Sequence, residues 1–267
     1  MTETISAVSP YRRAYLKGVR RRERFICAMR YVLLMAAIGA WELFTWLGWL
    51  DPFIVSSPSR VAATILRLLR DGELFVHIGT TLFETVAGFL IGTLFGTAAA
   101  VLLWWSETLC RILDPYLVVL NALPKIALGP VLIVWIGAGM GSIIVMAVLV
   151  SLVVTIVTVL TGFLEHTDEY QMLMRTLGAS KWQTFRLVVL PASVPTVVAA
   201  LKISVSMSWV GVIVGEYLVS RAGLGFLIVY GGQVFRLDLV MASIVILCAL
   251  AALMYYAVAF VEKRITR

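Results

Sequence analysis

The chain has 267 residues, of which 61% are hydrophobic and 14% charged, and its mean hydropathy is +0.98. A soluble domain carries about 25% charged residues, so the composition excludes an ordinary soluble globular protein. The net charge of +7 would suit nucleic acid, but its placement argues against that partner: Arg12, Arg13, Lys17, Arg20, Arg21, Arg22, Arg24 and Arg30 all precede the first apolar run.

A basic flank ahead of a span marks the cytoplasmic side of a membrane. Residues 1–30 therefore read as a cytoplasmic basic segment and 31–267 as a transmembrane domain. The basic flank is too long, and the apolar run from 31 to 50 long enough to span, for a cleaved signal peptide. Contact of the flank with anionic membrane lipid is a secondary expectation. Span one, 31–50, ends at Asp51-Pro52, and Ser56-Ser-Pro-Ser59 continues the break. Ser59 is expected to cap a helix in which Val61, Ile65, Leu68 and Leu69 recur at helical spacing while Arg60, Arg67 and Arg70 mark a polar side. Such a helix lies flat at the outer interface or packs on the bundle; the pattern fits both.

Residues 85–106, 126–164 and 239–261 carry no charge. About 20 apolar residues cross a hydrocarbon core about 30 Å thick. The run from 126 to 164 is too long for one helix and divides at Gly137-Ala-Gly-Met-Gly141. With every backbone group needing a partner in lipid, the fold class is all-α, a polytopic bundle of six transmembrane helices. The further spans are 80–105, 115–136, 141–163, 192–217 and 239–261. Gly88, Gly92 and Gly96 fall on one face of span two and predict close approach of another helix. Six spans place both termini on one side. With Arg111, Arg175, Lys181, Arg186, Lys263, Arg264 and Arg267, fifteen basic residues lie on the side of the N-terminal flank, against five (Arg60, Arg67, Arg70, Arg221 and Arg236) on the other. That bias predicts cytoplasmic N and C termini.

The segment from 164 to 191 is polar and basic between two long uncharged stretches. Thr167 or Asp168 can cap a helix through about Leu177, Gly178 permits a turn with positive φ, and Ser180 can cap a second short helix that Pro191 limits. The result is a compact knob whose tip, Gly178 to Trp182, suits a groove in a soluble partner.

Gly178, Val188, Leu190 and Pro191 have the spacing of the loop by which permeases of bacterial ABC importers contact their ATPase. The position that is acidic in that loop is Met172, followed by Leu173 and Met174; Glu169, one helical turn earlier, can substitute. Asp114-Pro-Tyr, Ala122-Leu-Pro-Lys-Ile-Ala-Leu-Gly-Pro130, Trp135-Ile-Gly-Ala-Gly139 and Gly215-Glu-Tyr with Gly223-Leu-Gly-Phe226 resemble the nitrate, sulfonate and taurine permeases of this family. The resemblance covers nearly the whole chain from about residue 35. It implies the type I importer permease fold in the bacterial inner membrane, as a homodimer with two ATPase subunits and an extracytoplasmic solute-binding protein. It further implies import of a small anion or small organic nutrient, bicarbonate included, by alternating access. Glu169, Met172, Arg175, Gly178, Ala179, Ser180, Lys181, Trp182, Leu190 and Pro191 are the implied ATPase-coupling residues. ATP and Mg are expected on the partner, and no cofactor on this chain.

Ionisable residues inside spans are functional candidates. Lys125, between Pro124 and Gly129-Pro130, can present charge to an anion, snorkel to the cytoplasmic interface or pair with an acidic neighbour. Lys202 faces the same choice, with pairing to Glu84 as its structural alternative. Glu216 suits a gate, a contact with the outer loop or a headgroup-level carboxylate, and Glu42 is similarly placed. Ser204, Ser206, Ser208 and Trp209 line a path or pack between helices. The path candidates are thus Lys125, Lys202, Ser206, Trp209 and Glu216. Cys27, Cys110 and Cys248 lack metal-ligand spacing, as do His77 and His166. There is no catalytic cluster and no phosphate-binding Gly-rich motif ending in Lys-Ser or Lys-Thr, so ATP hydrolysis is expected elsewhere. An ion-coupled secondary transporter, and behind it a polytopic membrane enzyme, are the alternatives.

Overall fold

The computed structural model describes residues 10–165 and 167–265, without the side chains of 10–17, 20, 167–169, 171 and 265. The contacts divide the chain into two compact units, Met1–Ala63 and Thr64–Arg267.

In the first unit, helix α1 runs Pro10–Trp46. Its 37 residues rise about 55 Å at 1.5 Å each, well beyond a hydrocarbon core of about 30 Å. The expected span of 31–50 is thus part of a longer helix whose membrane-compatible stretch is Arg21–Trp46. Asp51 Oδ1 accepts from the Phe53 amide at 2.8 Å and starts the one-turn helix α2, Pro52–Val55. Helix α3, Pro58–Arg70, crosses the unit boundary. Its first turn corrects the expected cap. The Ser57 hydroxyl accepts from the Arg60 amide, whereas the Ser59 amide and hydroxyl donate to the Glu42 carboxylate at 3.0 and 2.8 Å. Glu42 is thereby committed to ordering the turn after α1.

The second unit is organised by α4 (Glu73–Trp105), α7 (Met140–Glu165) and α10 (Leu190–Val219). The glycine face of α4 meets α7. A β-carbon on Gly88 would stand 2.5 Å from Ala147 Cβ, and one on Gly96 2.8 Å from Thr155 Cβ. Gly211 of α10 approaches Ala147 from another side, where a β-carbon would lie 2.5 Å from its Cα. Small residues let three backbones come close enough for dispersion and hydroxyl bonds to hold them, which is what lipid permits in place of a hydrophobic drive. Ser204 of α10 illustrates the bonds: its hydroxyl lies 3.1 Å from Thr93 Oγ1 of α4 and accepts from Thr155 Oγ1 of α7 at 3.2 Å. Ser193 donates across to the Gly162 carbonyl at 2.9 Å.

The continuous span expected at 115–136 is instead a broken pair. Helix α5 (Glu107–Ala122) stops before Pro124, a 3₁₀ turn follows at Lys125–Leu128 and leads into α6 (Gly129–Ile136), and the arm Lys125–Ile136 stands at 85° to α5. Leu123 has ψ 134°, the extended setting that a following proline imposes. Among the described residues, five unbroken helices are long and apolar enough to cross a membrane, and the broken pair makes up to six. The remaining elements are α8 (Thr167–Thr176), α9 (Lys181–Thr184), α11 (Leu224–Gln233) and α12 (Leu237–Ile265).

Pro191 does not end the short helix begun at Lys181, as its lack of an N–H suggests it should. The helical path is continuous over Lys181–Val219. A π-helical turn at Phe185–Val189 precedes the proline, with the Leu190 amide bonded to the Phe185 carbonyl. One extra residue in the turn moves the carbonyl that the ring would strike.

Candidate functional site

The segment between α7 and α10 forms a knob. Helix α8 ends at Thr176, and Gly178 takes φ 72°, the left-handed setting that turns the chain. Its amide bonds the Arg175 carbonyl at 3.0 Å, and the Ala179 amide bonds the Met174 carbonyl at 2.9 Å. Ser180 then caps α9. Its hydroxyl accepts from the Gln183 amide, and Gln183 Oε1 accepts from the Ser180 amide at 2.8 Å. This reciprocal pair fixes the start of a helix only four residues long.

The residues on the knob divide into two sets. Met172 and Leu177 are each 72% exposed and Leu173 56%, so α8 and the turn after it present three large apolar side chains that their own chain leaves largely uncovered. Arg175 and Gly178 are exposed beside them. Lys181 is exposed too, but its ammonium reaches back to the bundle: its Nζ donates to the Trp105 carbonyl at 2.5 Å and stands 5.5 and 6.0 Å from the Trp104 and Trp105 ring centroids. Trp182 stacks on Phe185 at 6.1 Å, and Phe185 meets Trp104 at 4.9 Å and Phe163 at 5.7 Å. An aromatic box from α4, α7 and the π turn thus seats the knob. The Glu169 side chain lies outside the described residues, as does His166. Leu190 and Pro191 are exposed at the start of α10.

At the opposite end of α10, Glu216 is 1% exposed. Three successive amides at the start of α11 are read by side chains of other helices. Gly223 N–H donates to His77 Nδ1 at 2.9 Å, Leu224 N–H to Thr81 Oγ1 at 2.8 Å and Gly225 N–H to Glu216 Oε2 at 2.5 Å. Thr81 Oγ1 in turn donates to Glu216 Oε1 at 2.6 Å. A helix start exposes unpaired amides and partial positive charge, and a buried carboxylate answers both. Glycine is required at 223 and 225 because a β-carbon there would collide with the Glu216 side chain. Glu84 is also 1% exposed and lies beside Glu216, with Oε2 unpartnered among the described residues. Of the alternatives for Glu216, a contact with the loop after its own helix matches this geometry.

The other path candidates are dispersed. Lys202 pairs with Glu262 of α12 at 2.5 Å rather than with Glu84; the two helices meet there, while Glu84 is turned toward Glu216. Lys125 Nζ donates to the Asn121 carbonyl at 3.0 Å across the break between α5 and α6. Ser206 is exposed and its hydroxyl bonds the Lys202 carbonyl at 3.3 Å. Trp209 is buried with Val205 and Met254, its indole N–H unpartnered among the described residues.

Sequence reasoning missed His77 and Thr81 as capping groups and the Trp104-Trp105 seat. The signals were present: two carboxylates inside spans at Glu84 and Glu216, and paired tryptophans where span two ends. Among the described residues, no group of three His, Cys, Asp or Glu is placed to hold a metal ion.

Comparison with known proteins gives this arrangement its context. Residues 92–267 match the family model described as the binding-protein-dependent transport system inner membrane component. The chain is 32% identical to a probable ABC transporter permease protein of Haemophilus influenzae, over 87% of this chain and 93% of that protein. It is 27% identical to a putative aliphatic sulfonates transport permease protein of Bacillus subtilis, over 90% and 87% of the two chains. A solved inward-facing structure of the MetNI methionine ABC transporter shares the fold, with a TM-score of 0.62 at 23% identity, over 70% of this chain and 94% of that one. With a glycine-turned knob between two long membrane helices, a broken helix pair beside them and this family match, the chain belongs to the binding-protein-dependent transport family and is an inner-membrane permease subunit of an ABC importer.

Proposed function

We propose that two copies of this chain form a translocation path for a small anion or small organic nutrient, worked by two ATPase subunits through the knob at 164–191. The observation that carries the proposal is the exposed apolar surface of α8 and the turn after it. Met172, Leu173 and Leu177 stand in a polar segment that joins two membrane helices, where water rather than lipid would otherwise meet them. A soluble partner that covers them gains about 1.5–3 kcal/mol per fully buried side chain. In this reading ATP and Mg are held by the partner, and the N and C termini and the knob lie in the cytoplasm. Methionine at the position usually acidic makes the contact apolar, so packing replaces an ion pair there.

Closure of the nucleotide-bound dimer draws the knob with it. The continuous helix Lys181–Val219 carries that motion into α10 without a flexible joint. A solute-binding protein delivers solute at the opposite face. Of the path candidates, Lys125 and Ser206 suit contact with solute best, because Lys202 is neutralised by Glu262 and Trp209 and Glu216 are buried among their own helices. The sulfonate name of the Bacillus subtilis relative favours an anion.

The test is to purify the permease with its ATPase subunit and compare the parent with Leu177→Ser. Loss of co-purified ATPase without loss of thermal stability is expected. Full retention, or a permease that transports by an ion gradient alone, would remove the proposal. The solute class is checked by mass spectrometry of ligand carried by the cognate binding protein.

A further inference from the structure

The resemblance placed Lys181 on the face toward the ATPase, and the geometry points elsewhere. We infer that Lys181 is a positioning residue that clamps the knob to the corner between α4 and α5, so that a movement of the knob turns this corner as well as α10. The inference rests on the coupling reading above.

The corner is built to be gripped. α4 ends at Trp105 and α5 begins at Glu107, so a single residue, Ser106, separates two long helices. Ser106 closes one and opens the other: its amide bonds the Leu102 carbonyl at 3.2 Å, and its hydroxyl accepts from the Leu109 amide at 3.3 Å. The Trp105 carbonyl belongs to the last turn of α4, where carbonyls lack helical partners and partial negative charge collects. An ammonium is the matching group, and Lys181 Nζ donates to that carbonyl. The same ammonium stands over the rings of Trp104 and Trp105, where the ring faces add a further attraction.

Two features make this contact a mechanical one. First, Lys181 sits at the first position of α9, immediately after the Ser180 cap, and α9 runs through the π turn into α10 as one continuous helical path. Its main chain therefore cannot shift without the knob shifting. Second, Trp104 and Phe185 are buried against each other at 4.9 Å, so the knob cannot slide along the corner without opening an aromatic core. The chain itself joins the knob only to α7 and α10. Lys181 adds a third, noncovalent connection to the helix pair that leads into the broken segment carrying Lys125.

The experiment uses the assembled complex of permease and ATPase, in a background with Cys27, Cys110 and Cys248 replaced by alanine. One spin label per permease copy is placed at Thr108→Cys, on the corner, or at Leu187→Cys, on the helix leading into α10. Copy-to-copy distances are measured without nucleotide and after trapping with ATP and vanadate. In the parent both distances change. With Lys181→Met the change at 108 is expected to fall to less than half while the change at 187 persists, and Lys181→Arg, which keeps the donor, restores it. An unaltered change at 108 in Lys181→Met overturns the inference. So does loss of ATPase subunit from a Lys181→Met permease that melts at the parent's temperature, because that result places Lys181 on the partner. If neither distance changes in the parent, the coupling reading fails, and this inference with it.

Discussion

The two ends of α10 use side chains in opposite ways. At the end that meets α11, a carboxylate, a hydroxyl and an imidazole are turned inward and each answers a backbone amide. At the knob end, methionine and two leucines are turned outward with nothing of their own chain over them. The first end is finished by the chain itself: the opening amides of α11 have side-chain acceptors and the glycines at 223 and 225 admit no other residue. The second end is complete as a fold, through its cap and aromatic seat, but incomplete as a surface. On the proposed coupling reading, the contrast separates what the permease must hold still from what it must offer to another molecule.

The sharpest way to break the contrast is at Glu216. Replacing it in Glu216→Ala leaves the Gly225 amide and the Thr81 hydroxyl without their acceptor in a buried setting, at a cost of about 1–3 kcal/mol for each unsatisfied group. A fall in thermal stability in detergent, with faster proteolysis of the turn at 220–225, is expected. A variant melting at the parent temperature would show that the end is not self-completed.

Next in size are the close approaches on α7. Gly88→Ala sets a methyl 2.5 Å from Ala147 Cβ, and overpacking of this kind costs about 1–3 kcal/mol. Gly79→Ala, on the same helix with open space around it, is the control and should melt within about 0.5 kcal/mol of the parent. Equal melting of the two variants would sink the close-packed account of the α4–α7 contact.

Ser180→Ala removes the acceptor that starts α9, a loss of about 1 kcal/mol confined to the knob. Hydrogen exchange at the Gln183 amide should quicken while amides within α7 keep their protection. The smallest effect on the fold is expected from Met172→Glu. Its side chain is exposed, so stability should stay within about 0.5 kcal/mol. Any effect belongs to the partner: co-purified ATPase should drop unless a basic residue of that subunit faces position 172. A large loss of stability would mean that Met172 packs on its own chain.

The composition and charge blocks were sufficient for the class of the molecule. Long uncharged runs admit helices and little else in lipid, and Gly88, Gly92 and Gly96 announced a contact because one missing side chain per turn exposes a backbone face. Gly178 and Ser180 were legible for the same local reason: a positive φ and a helix cap depend on the residue and its near neighbours.

What failed to read through depended on residues distant in sequence. Pro191 looked like a stop because a proline's cost is local, yet the π turn before it removes that cost. Span three looked continuous because hydropathy does not record an 85° bend. For Lys202, pairing with Glu84 was the structural alternative to a place on the path, whereas its partner is Glu262, sixty positions on. Lys181 entered the coupling set through the family resemblance, and only the fold brings the end of α4 within reach of its ammonium. Periodicity and local backbone chemistry decide which segments become helices and how they start and turn. Which buried charge meets which donor is decided when those helices pack, because that choice rests on distances between segments that sequence order does not encode.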